Sequence, residues 1–338
     1  MLDIDARLTR QAIGIAVDKA LEDVKGNTRR SIRNLIDLGL LFSQTENQKW
    51  FFGTAKQVIE NPKNPYKALV SRAVRDIHGE TIRRVGLNLG YNSLTYGAKR
   101  LRKRQETLDV RLPWMLEVGD VSGAEFSPNL ASCLQQGQDL GIYSYVFQVR
   151  SHEALAAAVE LAVKFEDCFF AFRLSGDMID NEATELIAQA HNVAVSVDID
   201  APDTRAEVAF RRLRENHCLY GYFLTYQDRD ISRVTSPQFV KWGIGVGCLF
   251  GAYQAAADAT GRARDRTYEF VCKLRGESGQ PLIALDWPRD LRETGEKMRI
   301  GGLMAIDLAE KAFAGRREAI NPAGLLADIL RRVQVCPT

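Results

Sequence analysis

Two kinds of hydrophobic periodicity divide the chain near residue 110. From about residue 5 to 100 the apolar positions recur every three or four residues, as in IRNLIDLGLLF and YKALVSRAVRDI. This spacing places apolar side chains along one face of a helix. It predicts an all-helical amino-terminal segment over residues 1–110, with a break at NPKNPYKAL, because proline fits only the first turn of a helix.

Beyond residue 111, short apolar runs alternate with amphipathic stretches of helical length. The predicted strands are LPWMLEV, IYSYVFQV, CFFAFRL, VAVSVDI, YGYFLTY, GIGVGCLF and PLIALDW. This alternation is typical of a parallel α/β fold. No GxGxxG follows the first strand, so a full or partial (β/α) barrel over residues 111–310 is favoured over a dinucleotide-binding sheet. Residues 311–338 are interpreted as a carboxyl-terminal helical tail.

The charge balance gives no reason to expect nucleic acid or a membrane as a partner. Lys and Arg number 45 and Asp and Glu number 43, a net charge of +2 in 338 residues. The first twenty residues include Asp and Arg, so we expect neither a signal peptide nor a spanning helix. We therefore expect the protein to be cytoplasmic. AKRLRKRQ has five basic residues in eight and is interpreted as a solvated helix face rather than an anchor for a partner or phosphate.

The cysteines carry no metal-binding pattern. No two of them have CxxC or CxxxC spacing, and the four histidines are equally isolated; the cysteines are Cys133, Cys168, Cys218, Cys248, Cys272 and Cys336. Zinc and iron–sulfur sites normally need clustered thiolates. The sequence therefore predicts no metal site.

Two long segments carry a resemblance to a known family. The run NLGYNSLTYGAKRLRKRQETLDVRLPWMLEVGD, followed by LQQGQDLGIYSYVF, resembles a branch of the radical S-adenosylmethionine superfamily that has a helical amino-terminal extension. The resemblance continues through DCFFAFRLSGDMID, FLTY and PLIALDWPRD and covers about residues 25–310. It implies a barrel of the radical S-adenosylmethionine type, with the helical segment packed on it.

The same resemblance implies catalytic features that this chain lacks. The family holds a [4Fe–4S] cluster with CxxxCxxC after the first strand, whereas the segment from Gly119 to Ser127 has no cysteine and is short. Where the family has a Gly-Gly-Glu-Pro turn that binds the cofactor, this chain has QVRSHEA, and Met298 stands about where an auxiliary-cluster cysteine would fall. We therefore expect no cofactor, neither cluster nor S-adenosylmethionine.

Polar residues at the predicted carboxyl ends of the strands are the candidate site, because functional residues of parallel barrels lie there. The candidate ligand-binding residues are Glu117, Asp120, Arg150, His152, Arg173, Asp198, Asp200 and Asp286. Two readings remain open: these side chains could bind a small polar ligand, or they could fill a vacated site with arginine–carboxylate pairs. Glu117 with Asp120, or Asp198 with Asp200, could also act as an acid/base pair or hold a divalent metal, but such aspartates are more often caps or turn formers. No catalytic residue is assigned.

Two functions follow from these observations. The first is a non-catalytic, cluster-less relative of the radical enzymes that serves as a scaffold or regulatory subunit of another protein, either an active radical enzyme or its own copy. An apolar surface patch would favour it. The alternative is a repurposed barrel that binds or converts a small polar ligand at its mouth, which would require an open pocket there.

Overall fold

The computed structural model describes residues 3–41, 65–120, 126–276 and 279–306, and the single positions 43, 49, 53, 56, 60, 61 and 326. The predicted tail over residues 311–338 lies outside this part of the chain except for Leu326, which is buried. The loop at 121–125, where the family cluster would be held, also lies outside it.

The amino-terminal part is helical, as the periodicity predicts. Its helices in the described residues are α1 (Ile4–Leu41), α2 (Tyr66–Asp76), α3 (Gly79–Gly86), a π-helix (Leu87–Gly97) and α4 (Ala98–Leu108). Pro65 stands directly before α2, the position at which its missing N–H costs nothing. The last three helices follow one another without a break.

Eight strands and eight α-helices occur in the described residues after 110, and at least one α-helix lies between each strand and the next. The strands are β1 (Pro113–Asp120), β2 (Ser144–Gln148), β3 (Phe169–Ser175), β4 (Val193–Asp198), β5 (Tyr220–Tyr226), β6 (Phe250–Ala255), β7 (Ile283–Asp286) and β8 (Gly301–Ile306). The helices are α5 (Phe126–Leu140), α6 (His152–Lys164), α7 (Asn181–Ala188), α8 (Thr204–Glu215), α9 (Ile231–Val234), α10 (Pro237–Gly245), α11 (Gly261–Arg275) and α12 (Trp287–Lys297).

One predicted strand is wrong. The run GIGVGCLF, residues 243–250, contains the end of α10 and a turn, and only its last residue belongs to β6. The Ser236 hydroxyl accepts a hydrogen bond from the Phe239 N–H at 3.2 Å, and Pro237 occupies the first turn, so a helix begins just upstream. A short apolar run is compatible with either element.

The sheet is a curled, incompletely closed barrel. Its strand order is β7-β6-β5-β4-β3-β2-β1-β8, and every pair is parallel. No pairing joins β7 to β8 in the described residues, so the barrel is open between them. All carboxyl ends therefore point to one mouth, as parallel strands joined by helices require.

The outer face of the sheet is aromatic and is covered by helices. Phe147 stacks on Phe172 with ring centroids 5.9 Å apart, and Phe170 lies 5.2 Å from Phe147. Tyr222 presents its ring to the edge of Phe239 on α10. These rings are buried, and burying such large apolar groups is the main stabilising contribution of this layer.

Several residues of the inner face are small, which suits the concave side of a barrel. Ala171 pairs with Ala194, Ser196 pairs with Gly221, and Ala252 lies on the same face through its pairing with Phe223. Side chains alternate along each strand, so polar residues near the strand ends share this inner face.

The helical extension packs under the amino ends of the strands. Ser93 of the π-helix and Ser144 of β2 form a buried hydroxyl–hydroxyl hydrogen bond of 2.5 Å. The amide of Asn88 donates to the backbone oxygen of Cys168 at 2.8 Å, and Arg72 of α2 donates to that of Cys248 at 2.7 Å. The extension thus closes the end of the barrel opposite the mouth. No helix in the described ranges is long and apolar enough to cross a membrane.

Candidate site at the mouth of the barrel

Cross-strand register brings one row of polar residues together at the mouth. Gln148 of β2 pairs with Arg173 of β3, and Asp198 of β4 pairs with Phe223 of β5. Paired residues of parallel strands lie on the same face, and Arg173 pairs with Ser196, two residues before Asp198. Glu117 of β1 joins the row through its pairing with Val146.

The center of the row is an ion pair stacked on an aromatic ring. The Nε of Arg173 lies 2.6 Å from the Oδ1 of Asp198. The guanidinium carbon of Arg173 lies 3.7 Å from the ring centroid of Phe223, a close cation–π contact. The two charged side chains are 15% and 27% exposed, so the pair is only partly solvated and charge-assisted bonding is strong there.

Burial dominates the protonation of Asp198. It raises the pKa of this carboxyl above the ordinary value of 3.8, although the positive charges of Arg173 and Arg150 act in the opposite direction. Nearby Asp200 adds to the increase. An ionised Asp198 at this position therefore depends on the arginines for its compensation.

A second set of contacts runs along the β1–β2 side of the mouth. The Oε1 of Glu117 accepts a hydrogen bond from the Nε2 of Gln148 at 2.7 Å, and the Oε1 of Gln148 accepts one from the Nη2 of Arg150 at 3.0 Å. The neutral amide thus links a carboxylate to a guanidinium. Arg150 is exposed, and this is its only hydrogen bond to another side chain in the described residues.

An aromatic pair closes the β5–β7 side. Trp287, the first residue of α12, meets the Phe223 ring edge-on with centroids 5.6 Å apart. Trp287 is 7% exposed, and its Nε1 has no hydrogen-bond partner in the described part of the chain. A buried N–H without an acceptor costs about 1–3 kcal/mol, so this donor is a point where an acceptor would be stabilising.

The remaining sequence candidates lie apart from this row or are engaged elsewhere. The Oδ1 of Asp286 caps α12 by accepting from the Arg289 N–H at 3.2 Å, and burial raises the pKa of this carboxyl. His152 begins α6, and its Nε2 lies 3.7 Å from the Oδ2 of Asp180. The backbone oxygen of Asp200 accepts a hydrogen bond from Arg233. The backbone of Asp120 ends β1, and its side chain lies outside the described residues.

Of the eight candidate residues predicted from the sequence, Glu117, Arg150, Arg173 and Asp198 lie together at the mouth. Two further residues, which the sequence did not indicate, belong to the same site. Gln148 hydrogen-bonds both Glu117 and Arg150, and Phe223 stacks under Arg173. Gln148 is the last residue of β2, and its position at a strand end could have marked it. The role of Phe223 depends on register with β4, which no local pattern specifies.

The cysteines do not fit the iron–sulfur cluster that the sequence resemblance implies. Cys168, Cys218 and Cys248 lie one or two residues before β3, β5 and β6, at the end of the barrel away from the mouth. Burial raises the pKa of Cys218 to about 12, and that of Cys133 on α5 likewise to about 12. Cluster ligands are thiolates, and these thiols are held protonated and dispersed.

A mononuclear metal site also lacks ligands in the described chain. Nowhere in residues 3–41, 65–120, 126–276 and 279–306 do three His, Cys, Asp or Glu side chains come together in an arrangement that could hold a metal ion. Of the pair considered above as metal ligands, Asp198 is engaged by Arg173 through its carboxylate, whereas Asp200 contacts Arg233 only through its backbone oxygen.

Comparison with known proteins identifies the fold. No family model and no curated protein matches the chain. Among solved structures, Streptococcus suis SuiB bound to S-adenosylmethionine is 12% identical with a TM-score of 0.51, covering 70% of this chain and 68% of that one. Another structure of Streptococcus suis SuiB has the same 12% identity, a TM-score of 0.50 and coverage of 88% and 81%. The chain has a radical S-adenosylmethionine-like fold.

Proposed function

We propose that this chain is a non-catalytic protein with a radical S-adenosylmethionine-like barrel, which acts as a scaffold or regulatory subunit of another protein. The candidate partners are an active radical enzyme and a second copy of this chain. The observation that carries the proposal is the mouth, where Arg173 and Asp198 neutralise each other and Gln148 links Glu117 to Arg150. Such pairs satisfy the strand ends without a ligand.

An apolar stripe on α1 supports the same proposal. Ile4, Leu8 and Ile15 are spaced so that they lie on one face of the helix, and they are 74%, 60% and 70% exposed. Single exposed apolar side chains are ordinary, but three aligned ones form a patch, and patches mark interaction surfaces. Burying each of them would contribute about 1.5–3 kcal/mol to association before its costs.

The test compares the stripe with the mouth. A tagged chain is isolated from its native cells as wild type, as Leu8→Asp/Ile15→Asp and as Glu117→Gln/Arg150→Ala, and its stoichiometric companion is quantified by mass spectrometry. Light scattering of the purified chain detects a second copy. We expect the amount of companion recovered with the stripe variant to fall at least about tenfold, which corresponds to about 1.4 kcal/mol of binding free energy. The mouth variant should recover as much companion as the wild type. Loss in the mouth variant alone would contradict the proposal.

A second candidate function is supported by the unpartnered Trp287 N–H. In this candidate, exposed Arg150 and the buried Trp287 N–H would be the donors to an acceptor-rich small molecule, such as a carboxylate, that enters the mouth. A thermal-shift titration with succinate tests this candidate. It predicts a rise in Tm that Arg150→Ala and Trp287→Phe each abolish, since a ligand that binds only the folded state stabilises it. A flat titration, with Trp287→Phe as stable as the wild type, would eliminate it.

A further inference from the structure

A cleft lies between the first turns of α1 and the rod formed by the π-helix and α4. Its volume is about 770 Å³, within the range of small-molecule and peptide pockets. Both walls contribute polar side chains; the lining residues from α1 and its cap are Asp3, Asp5, Ala6 and Thr9, and those from the rod are Tyr91, Thr95, Tyr96, Lys99, Arg100, Lys103, Arg104 and Thr107. The cleft is remote from the barrel mouth, because the rod packs at the opposite end of the strands.

The rod wall is a row of cations on one side of α4, which we call the basic row: Lys99, Arg100, Lys103 and Arg104. Their spacing places them on adjacent turns, and buried Ala98 and Leu101 anchor the opposite side in the core. Arg100 donates to the Tyr96 hydroxyl at 3.1 Å and to the Asp139 backbone oxygen at 2.7 Å.

The other three cations of the basic row form no ion pair in the described residues. Lys99, Lys103 and Arg104 are exposed, and none has an ion pair or side-chain hydrogen bond to another residue of the described chain. Like charges one turn apart repel each other on a helix. Binding of an anionic partner would relieve this repulsion. Without such a partner the repulsion between the exposed cations remains.

The carboxylates on the α1 wall do not neutralise the row. The Oδ1 of Asp3 accepts from the Ala6 N–H at 2.8 Å, and its Oδ2 accepts from the Tyr96 hydroxyl at 3.3 Å. Asp5 lies in the first turn of α1, where the positive end of the helix dipole stabilises a carboxylate. Four cations therefore face two carboxylates that the helix start already uses.

The apolar stripe of α1 lies on the helix face next to the one that lines the cleft. On the helix surface, Asp5 and Thr9 line the cleft, and Ile4 and Leu8 precede them by one position each. A partner segment with carboxylates on one side and apolar residues on the other can place the first against the basic row and the second against the stripe.

We propose that this cleft is the docking site for an acidic, amphipathic segment of the partner protein. The inference rests on the proposed function, because it names the chemistry of the partner. It goes beyond the expectation that AKRLRKRQ is a solvated face: in this proposal Lys99 and Lys103 recognise carboxylates, and the stripe recognises apolar side chains.

The experiment measures fluorescence anisotropy of labelled helical peptides with the full chain. The probe is a Glu/Leu/Ala peptide with its Glu and Leu residues on separate faces; the comparison probes are a Lys/Leu/Ala peptide and a sequence-scrambled Glu/Leu/Ala peptide. The variants are Lys99→Glu/Lys103→Glu and Ile4→Ser/Leu8→Ser. The matched control is Arg262→Glu/Arg266→Glu, which reverses two exposed cations with the same four-residue spacing on α11.

We expect only the unscrambled acidic peptide to bind, with an affinity that falls as salt rises. Each cleft variant should weaken binding about tenfold or more, and the α11 control should stay within about twofold. An equal loss of peptide affinity in the α11 control would contradict the proposed docking site. Displacement of the peptide by tripolyphosphate or by an unrelated DNA oligonucleotide at equal affinity would also contradict it. If no peptide binds while iron and S-adenosylmethionine binding are also absent, the cleft fails and the proposed function stands; detection of either cofactor defeats the proposed function itself.

Discussion

At the scale of single residues, the mouth is organised by one partly buried ion pair. The Arg173 side chain contacts both Asp198 and the ring of Phe223, so it connects the ends of three neighbouring strands, β3, β4 and β5. Burial raises the pKa of Asp198 above its ordinary value even with Arg173 beside it. The carboxylate is thus tolerated because of its partner, as is typical of charges in a partly dry environment.

Removing the arginine should destabilise the fold in a pH-dependent way. In Arg173→Leu the Asp198 carboxylate loses its main counter-charge, and we expect the free energy of unfolding to fall by about 1–3 kcal/mol. A carboxyl whose pKa is higher in the folded than in the unfolded chain binds more protons when folded, so its contribution is most favourable in acid and declines as pH rises through the folded pKa. The loss should therefore be larger at pH 8 than at pH 5.

Urea unfolding at both pH values measures this loss. The control is Arg173→Leu/Asp198→Leu, which removes both charges and should recover most of the stability. A loss of equal size at both pH values, or a double variant no more stable than the single one, would show that the pair does not determine the protonation of Asp198.

At the scale of elements, the helical extension is joined to the barrel by close contacts. Gly97, at the end of the π-helix, lies against the backbone oxygen of Gly141, which has a φ of 116° and ends α5. His78, before α3, stacks on His191, which precedes β4, with ring centroids 4.5 Å apart. Both contacts connect residues that are remote in sequence, so they define how the extension docks.

The glycine contact predicts a sharp difference between two substitutions in the same π-helix. A Cβ at Gly97 would overlap the backbone oxygen of Gly141 and lie 3.1 Å from the Tyr143 ring, whereas a Cβ at Gly90 would meet nothing within 4 Å. We expect Gly97→Ala to cost about 1–3 kcal/mol and Gly90→Ala to stabilise by about 0.5–1 kcal/mol. Chemical denaturation measures both, and equal effects would contradict the packing.

The histidine contact predicts a loss of stability in mild acid. Burial, His78 and Arg84 lower the pKa of His191 below its ordinary value of 6.5, against the effect of Glu80. The unfolded chain therefore binds a proton more readily than the folded one, and stability should fall as pH decreases below about 6.5. Urea midpoints from pH 7.5 to 5.5 should decline less steeply in His191→Gln; an unchanged slope would exclude His191 as the cause.

Much of this level of structure was predictable from the sequence, for identifiable reasons. Alternating strand and helix patterns predict the parallel barrel, because each element buries one side. GIGVGCLF was misassigned because a glycine-rich apolar run does not distinguish a helix end from a strand. The contacts of Gln148 and Phe223 could not be derived, since they depend on which residues of neighbouring strands come opposite each other.

At the scale of the whole molecule, the two ends of the barrel have different characters. The mouth carries charged pairs, whereas three of the cysteines, Cys168, Cys218 and Cys248, lie at the other end beneath the helical extension. The exposed stripe and the basic row belong to that extension. The radical S-adenosylmethionine-like fold thus carries its exposed apolar stripe and its basic row away from the mouth.

We propose that this barrel does not perform radical chemistry, and anaerobic reconstitution is the test of that proposal. The purified chain is incubated with iron and sulfide, desalted and analysed for bound metal, and S-adenosylmethionine is then titrated in a calorimeter. We predict substoichiometric iron, no cluster absorption band and no saturable heat. About four irons per chain, with saturable S-adenosylmethionine binding, would show that the barrel retains the cofactor sites of a radical enzyme.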